Sequence, residues 1–265
     1  MITVGYYLSI PLNELDSNSL NTIKSNLTAN VMDYMTRKWS KIEYYYIDEE
    51  SNYIQVPRFY PIGFKDVKYI IENGKELSSI EKNEKFSYRD GQDLDVKKAL
   101  SSEILTLMKP PGSGKTIIGS AAILERGVRS LIIVDQDQLK QQWISALKLV
   151  FKNIKINDNP KFDSKEKDLG YDVYISTIQS IIAKIRINGL TYVRDNYSKY
   201  NIGHVLIDEC HALIGPEKFS MFGHICNSRY ILALSATPKD DIYFKYWLGE
   251  TIVGDNHYKI EPYII

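Results

Sequence analysis

The chain has 265 residues, 44% hydrophobic and 25% charged, with 15 Gly and 9 Pro, a balance that excludes disorder, collagen, coiled coil and low-complexity sequence. Lys plus Arg and Asp plus Glu each number 33, so the net charge is zero and the basic excess that often marks non-specific nucleic-acid binding is missing. Two cysteines, Cys210 and Cys226, are too few for a disulfide framework and point to a reducing compartment. The amino terminus has no basic segment followed by an apolar run, and no stretch approaches the apolar length of a membrane span. A soluble, intracellular protein with no membrane partner is expected.

The first 85 residues read as an accessory α+β module. They hold a helix expected near Leu15 to Arg37, then strands in KIEYYYIDEE and YIQVPRFY with turns between them. Tyrosines cluster here, as in Tyr44-Tyr45-Tyr46; core packing is the plain reading and base stacking the alternative. The polar run from about 78 to 92 is the expected join to a second region, residues 86–265.

In that region apolar runs alternate with amphipathic, helix-like stretches. The runs are ILTLM (104–108), SLIIVD (130–135), DVYIST (172–177), HVLIDE (204–209) and YILALSAT (230–237). Near-continuous apolar strands interleaved with helices predict an α/β fold, a central parallel sheet covered on both faces. Ligands of such sheets sit beyond the carboxyl ends of the strands.

After ILTLM comes Lys109-Pro110-Pro111-Gly112-Ser113-Gly114-Lys115-Thr116, followed by a helix-like stretch closed by Gly127. Strand, glycine turn, Lys-Thr and helix form a phosphate-binding arrangement, in which backbone N–H groups close around phosphate oxygens at a helix amino terminus. Lys115 would reach the terminal phosphates of ATP and Thr116 would hold Mg²⁺. The strict P-loop pattern has Gly where Lys109 stands, five residues before Gly114. The run HVLIDECHAL ends a strand in Asp208-Glu209, where one carboxylate can serve Mg²⁺ and the next an attacking water; an ordinary acidic turn is the alternative.

Asp208-Glu209-Cys210-His211 is similar to the DExH box of superfamily two helicases, and Ser235-Ala236-Thr237-Pro238 to their Ser-Ala-Thr motif. Tyr88 to Gln92 resembles the segment that reads adenine, with Gln92 lying 23 residues before Lys115. LIIVDQDQLKQQW and VYISTIQSI resemble the motifs after the second and third strands. Five matches in the family's order span roughly residues 86 to 250, a far more specific pattern than any one of them. DECH, SATP and the stretch from Asp240 to Asp255 resemble the branch of DNA-repair and large-DNA-virus transcription helicases.

The resemblance implies a RecA-like ATPase domain that uses ATP and Mg²⁺. Gln92 would then hold the adenine edge, Gly112 to Thr116 the triphosphate, and Asp208 with Thr116 the Mg²⁺. Lys115, Asp208, Glu209 and His211 become the catalytic set, with Glu209 activating water. His211, Ser235 and Thr237 would couple nucleotide state to DNA or RNA, touched by Gln136 and Thr177. Family members usually carry Pro-Thr where Asp135-Gln136 stand, so strand grip there is in question. An acidic Asp135 facing phosphate is unfavourable, and the side chain is expected to point elsewhere.

Such helicases need a second RecA-like domain, and the motifs here belong to the first alone. The chain therefore reads as the amino-terminal part of a longer protein, or one half of a split gene product, working with transcription or repair machinery inside a cell or, if viral, in a host cytoplasm or virion. His204, His224 and His257 have no companions at ligand spacing, so no zinc site is expected. The competing function is a nucleotide-dependent switch or assembly module that does not translocate; a small-molecule kinase would have no use for the Ser-Ala-Thr segment.

Overall fold

A computed structural model of the chain describes residues 1–5, 7–33, 38–58, 60–61, 67–77, 80–162, 169–213, 223, 225–237, 246, 248 and 251–254. Pro238, His224, His257 and most of the stretch 240–255 lie outside the described residues.

The amino-terminal unit is a mixed five-stranded sheet, order β5-β6-β2-β1-β7, with a separate two-stranded hairpin. Its strands are β1 (Ile2–Val4), β2 (Leu8–Pro11), β5 (Tyr46–Asp48), β6 (Tyr53–Val56) and β7 (Val67–Tyr69). Alternate residues Ile2, Val4, Leu8, Ile10, Ile54 and Val56 fill one core, while Thr3, Ser9 and Gln55 pair across the opposite face. Helix α1 (Ser17–Asn26) starts on Asp16, whose carboxylate accepts the N–H of Ser19. It stops well short of the expected Arg37. Fully buried Leu27 anchors the chain in the core, Thr28 turns its hydroxyl back to the carbonyl of Lys24, and β3 (Thr28–Asp33) pairs antiparallel with β4 (Lys38–Glu43). Apolar spacing in this stretch suits either element, and strand pairing decides it.

Beyond it lies a seven-stranded, all-parallel sheet in the order β10-β11-β9-β12-β13-β8-β14. The five apolar runs are its central strands: β8 (Ile104–Met108), β9 (Ser130–Val134), β11 (Val173–Thr177), β12 (His204–Ile207) and β13 (Tyr230–Ser235). Short edge strands β10 (Ile156–Asn157) and β14 (Thr251–Val253) complete it. Leu131 and Ile133 of β9 face the core under α5 (Ile178–Asn188) and α6 (Leu190–Ser198). Ile132 and Val134 face the core under α2 (Gln92–Leu100), α3 (Lys115–Arg126) and α4 (Asp137–Val150). Both faces are buried, which is why the strands read as unbroken apolar runs.

The join is itself structured. Residues 72–77 and 80–83 cross the amino-terminal ends of the strands, bridging Glu72 to Ser228, Glu76 to Val128 and Lys82 to Phe151. Gly74 and Gly203 approach so closely that a Cβ on either would strike the other's backbone. His204, at the start of β12, is fully buried, and burial holds its imidazole down at about 3, so it stays neutral. No helix among the described residues is long and apolar enough to cross a membrane.

Candidate active site

Parallel register brings the strand carboxyl ends to one rim. Met108 pairs with Ser235, Ile207 with Ala233 and Ile133, and Val134 with Thr177. Every site residue predicted from the sequence lies on this rim or on the helices that leave it. Order along the sheet divides them: the ends of β8, β13 and β12 carry the glycine turn, Ser235 and Asp208-Glu209, while β9 and β11 carry Gln136 and Thr177.

After β8 the chain turns at Gly112 (φ 74°) and Gly114 (φ 81°) and enters α3. Positive φ at both needs glycine. A Cβ at Gly112 would meet nothing within 4 Å, whereas one at Gly114 would collide with the amide nitrogen of Gln92. Gly114 caps α3 without any side-chain hydrogen bond, so the first N–H groups of a 12-residue helix open onto this turn with its positive end. Thr116, half-buried, sits in the first helical turn. Gln92, 2% exposed, begins α2 and accepts the Arg89 N–H through Oε1 at 2.9 Å.

Lys115 Nζ lies 3.1 Å from Glu209 Oε1 and donates to the carbonyl of Lys109 at 3.4 Å. Glu209 Oε2 is 3.3 Å from His211 Nδ1, outside hydrogen-bond geometry, and has no hydrogen-bond partner among the described residues. His211 Nδ1 shares a 2.8 Å hydrogen bond with Ser235 Oγ, which accepts the N–H of Thr237 at 3.1 Å. Four side chains from three strand ends thus lie in a row, with the Glu209–His211 step a 3.3 Å approach and not a hydrogen bond. Glu209 holds φ at 45°, a conformation that costs a non-glycine residue about 1–3 kcal/mol and recurs at functional sites.

Asp208 is held by a residue that sequence reading missed. Trp143, fully buried in α4, donates its indole N–H to Asp208 Oδ2 at 2.8 Å, and Glu209 N–H donates to Oδ1 at 3.0 Å. Burial raises the Asp208 carboxyl above its usual range, and the indole bond opposes that by favouring the anion. Gly119 of α3 leaves the space: a Cβ there would come 2.7 Å from the Trp143 ring and 2.6 Å from Leu206. Cys210 turns into the core, where burial pushes its thiol up to about 12, so it is an inert apolar side chain.

On the other half of the rim, Gln136 is exposed at the start of α4. Asp135 points away along the rim, its Oδ1 accepting the Gln179 amide at 3.0 Å. Thr177 caps α5, accepting Ser180 N–H at 3.2 Å and sharing a 2.8 Å bond with the Ser180 hydroxyl.

The sheet is RecA-like, with a glycine turn, a Lys-Thr helix start and a carboxylate pair on its carboxyl rim, and a helicase-family model matches residues 75–240. The chain belongs to the ResIII family. That family carries the description "Type III restriction enzyme, res subunit". Among curated relatives, the ATP-dependent RNA helicase candidate QP509L of African swine fever virus is 33% identical over 132 residues, 49% of this chain and 24% of that protein. The helicase candidate D10 of Escherichia phage T5 is 23% identical over 194 residues, 73% of this chain and 40% of that protein. The chain thus spans under half the length of these relatives. The fold is that of the UvsW helicase from bacteriophage T4, with a TM-score of 0.64 at 17% identity over 95% of this chain and 99% of that one.

Proposed function

We propose that this ResIII-family chain is the first motor domain of an ATP-dependent nucleic-acid helicase or translocase, residues 86–265 forming the ATPase unit and 1–85 an accessory module. The observation that carries the reading is the path from Lys115 through Glu209 and His211 to Ser235. It connects a triphosphate subsite to the neighbouring strand end, as an engine that converts nucleotide state into movement needs.

The residues fit Mg-ATP. The uncapped helix start and the space around Gly112 suit phosphate oxygens, Lys115 supplies a cation, and Thr116 and Asp208 are the oxygen donors for Mg²⁺. The bound ion would screen charge on the phosphates. Glu209 Oε2, buried with open acceptor capacity, suits the group that orients or deprotonates a water. Gln92 is the adenine contact, and Thr237 with Ser235 the coupling segment. DNA or RNA would run past Gln136 and the Thr177 end of β11. A second RecA-like domain would close the site and supply arginines, a contribution of about 10³-fold or more in rate for comparable groups. Similarity to viral helicases favours a viral, intracellular setting, and transcription or repair machinery is the partner we assign to it.

One observation favours the switch reading instead: Asp135 and the Thr177 hydroxyl are engaged within the protein, which leaves little grip for a strand. Titration calorimetry with ATP and Mg²⁺ on wild type and Lys115→Ala tests nucleotide binding. Wild type should bind and the variant should bind at least about tenfold more weakly, one charge-assisted contact being worth roughly 1.5–3 kcal/mol; equal affinities contradict the assignment. Nucleic-acid stimulation of hydrolysis in the full-length protein separates a motor from a switch.

A further inference from the structure

Lys109, the residue that breaks the strict glycine pattern ahead of the phosphate turn, is fully buried, and its ammonium pairs with the equally buried Asp95 of α2. Each part of Lys109 reaches a different element of the site. Its N–H donates to the carbonyl of Ser235 at 2.9 Å, and its carbonyl accepts from Lys115 Nζ at 3.4 Å. Its side chain joins α2, the helix that begins with Gln92. Gly254, just past the end of β14, donates its N–H to the carbonyl of Met108 at the end of β8 and closes over the pair; a Cβ there would run into Lys109 Cδ and come 2.8 Å from Asp95 Oδ1.

Two charges withdrawn completely from water are a poor source of net stability, because desolvation offsets their attraction; an apolar pair of the same volume is often as stable or more so. What such a pair supplies is a fixed register between the elements it joins. Here those are the helix carrying Gln92 and the loop carrying Gly114, and the two meet where the Gln92 amide lies against Gly114. We propose that Lys109 and Asp95 are positioning residues that lock α2 to the phosphate turn, so that the base subsite at Gln92 and the phosphate subsite at Gly112–Thr116 bind one nucleotide as a rigid unit. The inference rests on the ATP-site reading above and adds to it the pair that couples the two subsites.

The test compares ATP with inorganic tripolyphosphate, which occupies the phosphate subsite alone, by calorimetry on wild type and on the Lys109→Met/Asp95→Leu double variant, with thermal unfolding to verify the fold. Tripolyphosphate affinity should be retained, while the advantage of ATP over tripolyphosphate should fall at least about fivefold, the low end of coupling between two subsites. If the double variant does not fold, Gly254→Ala carries the test: its methyl displaces the flexible Lys109 chain without changing any charge, and the same ratio should fall. A wild-type ratio in the folded double variant, or in Gly254→Ala where only that variant folds, overturns the proposal. Failure of wild type to bind either ligand would instead overturn the ATP-site reading, so the two failures are distinct.

Discussion

The two halves of the sheet's carboxyl rim are built differently. Around the ends of β8, β13 and β12, side chains tie separate elements together: Lys115 to Glu209 and His211 to Ser235 between strand ends, and Asp95 of α2 to Lys109 and Trp143 of α4 to Asp208 from the covering helices. At the ends of β9 and β11, Thr177 caps its own helix α5, and the bond between Asp135 and Gln179 joins the two ends at the exposed rim. A nucleotide subsite must hold charges in fixed positions before its ligand arrives, and cross-strand contacts supply that rigidity. A surface that grips a moving strand can be made of exposed groups, and in the proposed reading the exposed Gln136 is one. Substitutions on the first half should therefore propagate, and those on the second should stay local.

The largest effect is expected at Glu209. In the full-length protein Glu209→Gln keeps shape and removes the carboxylate, so Mg-ATP should still bind while hydrolysis falls by about 10²–10⁴, the usual contribution of a positioned general base. Normal turnover by Glu209→Gln, with loss only in Asp208→Asn, would reverse the roles assigned along this segment.

A smaller, two-part effect is expected at Trp143. Trp143→Phe keeps the ring in the core but leaves Asp208 Oδ2 without its indole donor. The loss should lower stability by about 1–3 kcal/mol, the range for a buried group left unsatisfied, and raise the Mg²⁺ concentration needed for ATP binding. Denaturant unfolding and an Mg²⁺ titration check the two parts. Unchanged Mg²⁺ dependence in a folded variant would mean that the bond serves packing alone.

The smallest is at Thr177. Thr177→Ala removes a helix cap, costing about 1 kcal/mol, and should leave hydrolysis in the absence of nucleic acid near wild type. If the variant keeps its stability and loses nucleic-acid affinity, the hydroxyl grips the strand and the contrast between the two halves fails there.

These differences also explain what was legible in the sequence. Central strands declared themselves because burial on both faces leaves mostly apolar residues, and the glycine turn before α3 because glycine is needed at two positive-φ positions. Edge strands β10 and β14 are two and three residues long, too short for any period to appear. The stretch from Thr28 to Asp33 carried apolar spacing that a helix could use, and only its pairing with β4 fixes it as strand. Cross-strand contacts were the least visible: Trp143 and Asp208 are 65 positions apart, and no local signal marks an indole as a carboxylate's partner. Lys109 was conspicuous, but only as a departure; its meaning required Asp95, one helix away.

The central claim is that the nucleotide subsite is wired through His211 to Ser235. Its most direct test is the ratio of ATP hydrolysis with and without DNA or RNA in the full-length protein, wild type against Ser235→Ala. Wild type should be stimulated, and the variant should hydrolyse ATP at close to the unstimulated rate while its stimulation falls at least about fivefold, as expected when a coupling contact is removed. Stimulation in Ser235→Ala equal to wild type would show that nucleic acid acts on the site by another route and would contradict the account.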